Sequence, residues 1–173
     1  MGKEEDRQQL AIVVQAISRV PVEIRQSIYQ LSQTKDENAL IQSFNQHSRD
    51  MFTLLERIAK SCGRLQATQL VSHRSLFDAA IAIQKRIAID KFTLLVLEFA
   101  PEIYSKDEEA FLQMTIPETD VKTSAGFGVI RSNEFRDMWV KDMTPEMKSD
   151  VTTLITRMVM TAHAFFYKTV AAS

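Results

Sequence analysis

The side chains able to do chemistry in this 173-residue chain are few and widely spaced. Its three histidines, His47, His73 and His163, lie far apart, and none carries the Glu-x-x-His spacing with which helical bundles present ligands to a metal. Cys62 is the one cysteine, so no internal disulfide can form. Paired with His73 it would make a thiol dyad, but eleven residues of continuous helix would hold the two roughly 16 Å apart. Cys62 also falls on an apolar helical stripe, which favours a buried structural thiol over a nucleophile. No G-x-S-x-G, P-loop, H-E-x-x-H, EF-hand or C-x-x-C pattern occurs. Gly126-Phe127-Gly128 could cradle a phosphate or act as a hinge, yet a lone G-x-G without a preceding strand reads as a simple turn. The chemistry thus points away from catalysis, a metal or a cofactor.

Two other groups of residues suggest binding. Phe127, Val129 and Ile130 put apolar side chains into a glycine-bearing loop, where they either tuck onto the body or meet a partner. Methionine is concentrated late in the chain, and Met143 and Met160 fit the helical core stripes least well, so they join the candidate partner-binding set. Charge is segregated too. Arg57, Lys60, Arg64, Arg74, Lys85, Arg86 and Lys91 are opposed only by Asp78 and Asp90 between positions 57 and 91. Glu98, Glu102, Asp107, Glu108, Glu109, Glu118 and Asp120 follow with Lys106 alone against them. These blocks could pair within the fold, solvate different faces, or offer Arg57, Lys60, Arg64, Arg74, Lys85 and Arg86 to nucleic acid or an acidic partner. Aromatic residues are missing between Arg57 and Arg74, and the net charge is −1, which together weaken the nucleic-acid reading.

The elements that must position these residues read as helices. Hydrophobic residues make up 45% of the chain and charged residues 25%, with only 4 Gly and 4 Pro, a mixture that favours long helices over strands and turns. Leu10, Val13, Val14, Ile17 and Val20 mark a first helix, ended by Pro21; Ile24, Ile28 and Leu31 mark a second. Asp36 should cap a long third helix, whose seam of Ile41, Phe44, Ser48, Met51, Leu55, Ile58 and Cys62 keeps a strict 3-4 spacing. Gly63 should end it in a left-handed residue and turn the chain back. From Arg64 the pattern runs helically to Asp90, and Phe92 to Leu97 is apolar on all sides, as a central buried helix is, with a short buried strand as the alternative. A charge at Leu95 is therefore expected to cost several kcal/mol.

Pro101 stops that element, and Lys106 to Met114 forms a short acidic helix. Residues 115–132, with Pro117, Gly126 and Gly128, read as one long loop. Ser132 or Asn133 caps a helix holding Phe135, Met138 and Trp139. Thr144-Pro145-Glu146 starts a terminal helix with an apolar stripe from Met147 to Phe165 and an outer face of Thr152, Thr153, Thr156 and Thr161.

The sequence therefore predicts an all-α, single-domain bundle over residues 1–173, with about six to seven helices around a hydrophobic central one. The N-terminus lacks a signal-peptide h-region, Asp6 stands where a myristoylation motif needs Ser or Thr, and no stretch reaches the ~20 apolar residues of a membrane span. An intracellular, cytoplasmic protein is expected. The function that follows is non-enzymatic interaction or assembly, with a protein partner or further copies of the chain. A nucleic-acid-binding protein using the basic face at 57–91, and a bundle enclosing an apolar ligand or cofactor, are the alternatives.

Overall fold

Capping residues divide the chain where the spacing predicts. In the computed structural model, which describes residues 3–112 and 125–170, α1 spans Lys3–Ser18 and α2 spans Val22–Thr34, with Pro21 between them. Asp36 accepts a hydrogen bond from Ala39 N (2.7 Å) and opens α3, Glu37–Ser61. Gly63, at φ +72°, follows α3 in the left-handed region; Arg64 N donates to Ala59 O at 2.7 Å and the chain reverses. Ser132 and Thr144 cap α9 (Asn133–Lys141) and α10 (Pro145–Thr169) through Phe135 N and Met147 N, as expected.

Between these lie α4 (Leu65–Thr68), α5 (Leu70–Ile83), α6 (Ile87–Val96), α7 (Ala100–Tyr104) and α8 (Glu108–Leu112), with 3-10 turns at Leu97–Phe99 and Phe127–Arg131. Seven of the ten α-helices have nine residues or more, and no strand occurs among the described residues. The chain is an all-α single-domain bundle. No helix among the described residues is long and apolar enough to cross a membrane.

The helical reading from Arg64 to Asp90 is broken twice. Gln69 adopts φ +54° between α4 and α5, and Gln84 is extended between α5 and α6. Thr68 and Leu70 are both buried; two residues apart on an unbroken helix they would point about 200° from each other. The left-handed turn at Gln69 lets both face inward.

The two 25-residue helices, α3 and α10, pack along each other, and α2 lies against α10. Every predicted seam residue of α3 from Ile41 to Ile58 is buried, and Ser48 satisfies its hydroxyl on Phe44 O (2.9 Å); Cys62 is half-buried. Helix α6 sits against α1, α3, α5 and α10, as a central helix should. Its enclosure is incomplete, however: Phe92, Thr93, Val96 and Leu97 are buried, while Leu94 and Leu95 are half-buried. The C-terminal half of α10 is the more enclosed, with Met158, Val159 and every residue from Thr161 to Phe166 buried. The expected cost of a charge shifts accordingly. Leu95→Lys should keep a cooperative urea transition, losing about 2 kcal/mol or less, because the ammonium can reach water while its stem stays packed. Phe92→Lys should abolish the transition.

The loop that could either tuck onto the body or offer a partner-binding patch turns inward. Phe127, Val129 and Ile130 are each 4% exposed or less, and Met143 is 7% exposed. The Phe127 ring lies within 5.3–6.4 Å of those of Phe44, Phe52, Phe77 and Phe92, bringing together α3, α5 and α6. Burying five aromatic rings in one cluster outweighs their exposure, so these residues belong to the core and present no surface to a partner. Met160 is half-buried against the same core. The loop residues 115–124, and Met114 before them, lie outside the described residues.

Candidate functional site

Among the described residues, a concavity lies on the threonine face of α10. Helix α7 ends in a tight turn, where Lys106 N donates to Ile103 O and Asp107 N to Glu102 O. Lys106 takes φ +60° there, an unusual conformation for a residue with a side chain. Asp107 then accepts from Ala110 N (3.1 Å), capping α8 and setting Lys106, Asp107 and Glu108 in a row. That row, Trp139 of α9 and the first half of α10 enclose a cleft of about 570 Å³. A cleft of this size suits a small ligand or a few side chains of a peptide.

Its floor is apolar: Ile103, Ile155 and Trp139 are buried side chains that line it. Thr152 and Thr156 form part of the wall, and each hydroxyl donates to the carbonyl four residues back, both at 2.7 Å. Their donors are spent on the helix, which leaves their lone pairs as acceptors. The rim is charged. Glu108 Oε1 accepts from Trp139 Nε1 at 2.7 Å and lies 3.4 Å from Lys148 Nζ, which itself sits 5.8 Å over the Trp139 ring. The indole hydrogen bond first, and the Lys148 charge after it, hold the Glu108 carboxyl below the usual carboxylate range against the effect of partial burial. Lys106 and Arg157 line the same cleft, are exposed, and pair with no carboxylate among the described residues.

Of the six basic residues picked out by charge, three are engaged with acids of the fold. Arg64 pairs with Asp142 and lies 3.9 Å from Glu134, Arg74 holds Glu56 and Thr53, and Arg86 holds Asp90 while stacking over Phe165. Hydrogen bonding to Asp142 and Asp90 raises the Arg64 and Arg86 guanidinium pKa values, so both are held as cations within the fold. Arg57 and Lys60 on α3, and Lys85 after α5, are exposed.

Two of the three histidines, His73 and His163, are buried. His163 is fully buried, with Nδ1 hydrogen-bonded to Tyr104 Oη at 2.9 Å and its ring 4.6 Å from that of Tyr167. Burial, helped by the nearby Arg25 charge, lowers its pKa to about 4, and burial alone lowers that of His73. His47 has Asp50 three residues on, but the described residues contain no group of three His, Cys, Asp or Glu able to hold a metal. Cys62 has its thiol pKa raised, by burial first and then by Asp142, the reverse of an activated nucleophile.

Sequence reasoning missed Glu108, Trp139, Lys148, Lys106 and Arg157 as a set. Its one visible trace is the threonine run of α10, which lines the cleft wall. Among known proteins, the chain is 39% identical over 168 residues to the protein titled Uncharacterized protein R465 of Acanthamoeba polyphaga mimivirus. The match spans 97% of this chain and 93% of that relative. No protein-family profile matches the chain, and no solved structure does.

Proposed function

This chain belongs to the same family as that mimivirus protein, and we propose that it is a non-enzymatic interaction protein whose α10 cleft takes up a short segment of a protein partner. The observation that carries this is the cleft itself, with an apolar floor of Ile103, Ile155 and Trp139 and the cations Lys106 and Arg157, which pair with no carboxylate among the described residues. Such a surface is complementary to a segment carrying an acidic residue beside aliphatic ones. Neither histidine nor cysteine lines it, and the Thr152 and Thr156 hydroxyls are committed to backbone carbonyls, which favours binding over catalysis. Nucleic acid is supported less, because Arg64, Arg74 and Arg86 are engaged within the fold.

Selection from a random displayed-peptide library tests the reading. Peptides with Asp or Glu next to Leu, Ile or Val are expected to be enriched. Thr153→Trp, which places a bulky ring in the cleft from an exposed wall position, should weaken them about tenfold or more, a loss of ~1.4 kcal/mol. Enrichment indifferent to Thr153→Trp, or none, refutes the proposal.

Self-association has its own observation. Ile83 is 85% exposed at the C-terminal end of α5, next in sequence to Ala82, which lines a groove with Ile41, Ile81 and the polar side chains of Gln42, Arg49 and Asp78. Light scattering at tens of micromolar, roughly the range of useful affinities, should then show a dimer that Ile83→Asp dissociates; a monomer at that concentration refutes self-association.

A further inference from the structure

Glu108 stands out in the cleft because it is a carboxylate already seated on two donors. Its Oε1 takes the Trp139 indole hydrogen at 2.7 Å and lies 3.4 Å from Lys148 Nζ. Trp139 and Lys148 come from α9 and the first turns of α10, and Lys148 Nζ lies 5.8 Å over the indole ring. The two donors therefore form one site on a single wall. Glu108 comes from elsewhere, at the start of the five-residue α8, and its side chain is 54% exposed. A helix this short has little stability of its own, and the Glu108 contact is one tie that holds it beside Leu112, which packs on the core.

Trp139 is 3% exposed, and its indole N–H needs an acceptor when buried. Any carboxylate that reaches the cleft can supply one. Lys106 and Arg157, on the rim of the same cleft, would draw an anion toward it.

We propose that Trp139 and Lys148 form a carboxylate-binding subsite that Glu108 occupies in cis, and that an acidic side chain of the partner segment takes its place. This rests on the partner-binding reading of the cleft. The exchange is a swap of one carboxylate for another on the same two donors: no bond other than hydrogen bonds changes, and no proton moves. Glu108 then acts as a tethered competitor. It weakens every acidic ligand by the fraction of time it holds the site, and it keeps the buried indole satisfied when no ligand is bound. A partner lacking an acid would gain nothing from its departure, so Glu108 also sets a requirement on the ligand.

The chain's single tryptophan is Trp139, so its fluorescence reports the subsite directly. The probes are two peptides, acetyl-Glu-Leu-Leu-amide and acetyl-Gln-Leu-Leu-amide, which differ only in the carboxylate. Wild type should prefer the Glu peptide. Glu108→Ala should bind that peptide about five- to tenfold more tightly, as expected if the tether fills the site 80–90% of the time. Lys148→Met should erase the preference for Glu over Gln. Glu109→Gln removes a neighbouring charge from an exposed position of α8 that does not line the cleft and touches neither donor, so it should change affinity less than about twofold.

Equal binding of both peptides, unchanged in Glu108→Ala and Lys148→Met, overturns the subsite while leaving the cleft as a binding surface. A gain in Glu109→Gln as large as in Glu108→Ala also overturns it, because the effect would then be general electrostatics. Binding of neither peptide by wild type or Glu108→Ala overturns it as well; the library selection blocked by Thr153→Trp then decides separately whether the cleft binds a partner.

Discussion

Phe127→Ala is expected to destabilise the protein by about 3–5 kcal/mol, the range for deleting a fully buried aromatic side chain. The ring is 3% exposed and is flanked by Phe44, Phe52, Phe77 and Phe92 at centroid distances of 5.3–6.4 Å. Three of these four contacts are edge-on, the arrangement that sets ring hydrogens against a neighbour's face. The four partners come from α3, α5 and α6, whose backbones cannot all close in on one vacated volume. A cavity should persist, and the loss should sit at the upper end of the range. Phe127→Leu keeps most of the volume and should lose about half as much. Urea unfolding followed by circular dichroism gives both values. A loss under 1 kcal/mol for the alanine variant would show that the loop does not pack as described.

The residue before it makes the same point through the backbone. A Cβ on Gly126 would stand 2.3 Å from His73 O, 3.0 Å from Phe52 Cζ and 3.2 Å from Phe77 Cβ, at φ +88°. The nearest of these atoms is backbone and cannot yield cheaply. Gly126→Ala should therefore approach Phe127→Ala in severity, although it removes no contact.

Gly126 and Phe127 also show where sequence reading reaches its limit. Glycine and a nearby run of apolar residues in a loop permit two outcomes, and spacing cannot separate them, because the deciding contacts come from residues 35 to 83 positions earlier in the chain. The helices themselves were legible for a local reason. Caps at Asp36, Ser132 and Thr144 act within three residues, and the α3 seam repeats at the period of the helix that forms it. The partners of the basic stretch were illegible for the converse reason. Residues adjacent in sequence diverge on a helix, and the turns at Gln69 and Gln84 scatter them further, so Arg64, Arg74 and Arg86 meet three different acids. The cleft lay between these cases. Its threonine wall belongs to one helix and could be read from the sequence, whereas Glu108, Trp139 and Lys148 meet only through the packing of α8, α9 and α10.

A second large effect is expected from acid. Buried His163 has its pKa lowered to about 4, against an ordinary value of 6.5. Between those two values the unfolded chain binds a proton that the folded chain does not. Stability contributed by the neutral ring is therefore complete above about pH 6.5, falls as pH drops, and is lost by about pH 4. The full span corresponds to about 3 kcal/mol. Structure explains the sign. The ring is 0% exposed and Nδ1 is already engaged with Tyr104, while Nε2 has no hydrogen-bond partner among the described residues. Protonation would thus leave a charge in the core beside Arg25, which opposes it. Urea titrations at pH 7, 5.5 and 4 should show wild type weakening more steeply than His163→Gln, with a difference between their slopes that is confined to this window. His73 and His47, also lowered by burial, add in the same direction and are common to both proteins, so they cancel in the comparison. Parallel profiles for the two proteins would mean that His163 is not held neutral by the fold. No histidine lines the α10 cleft. Acid should therefore loosen the core without titrating a histidine at the binding surface, and peptide affinity at pH 5.5 should follow the folded fraction.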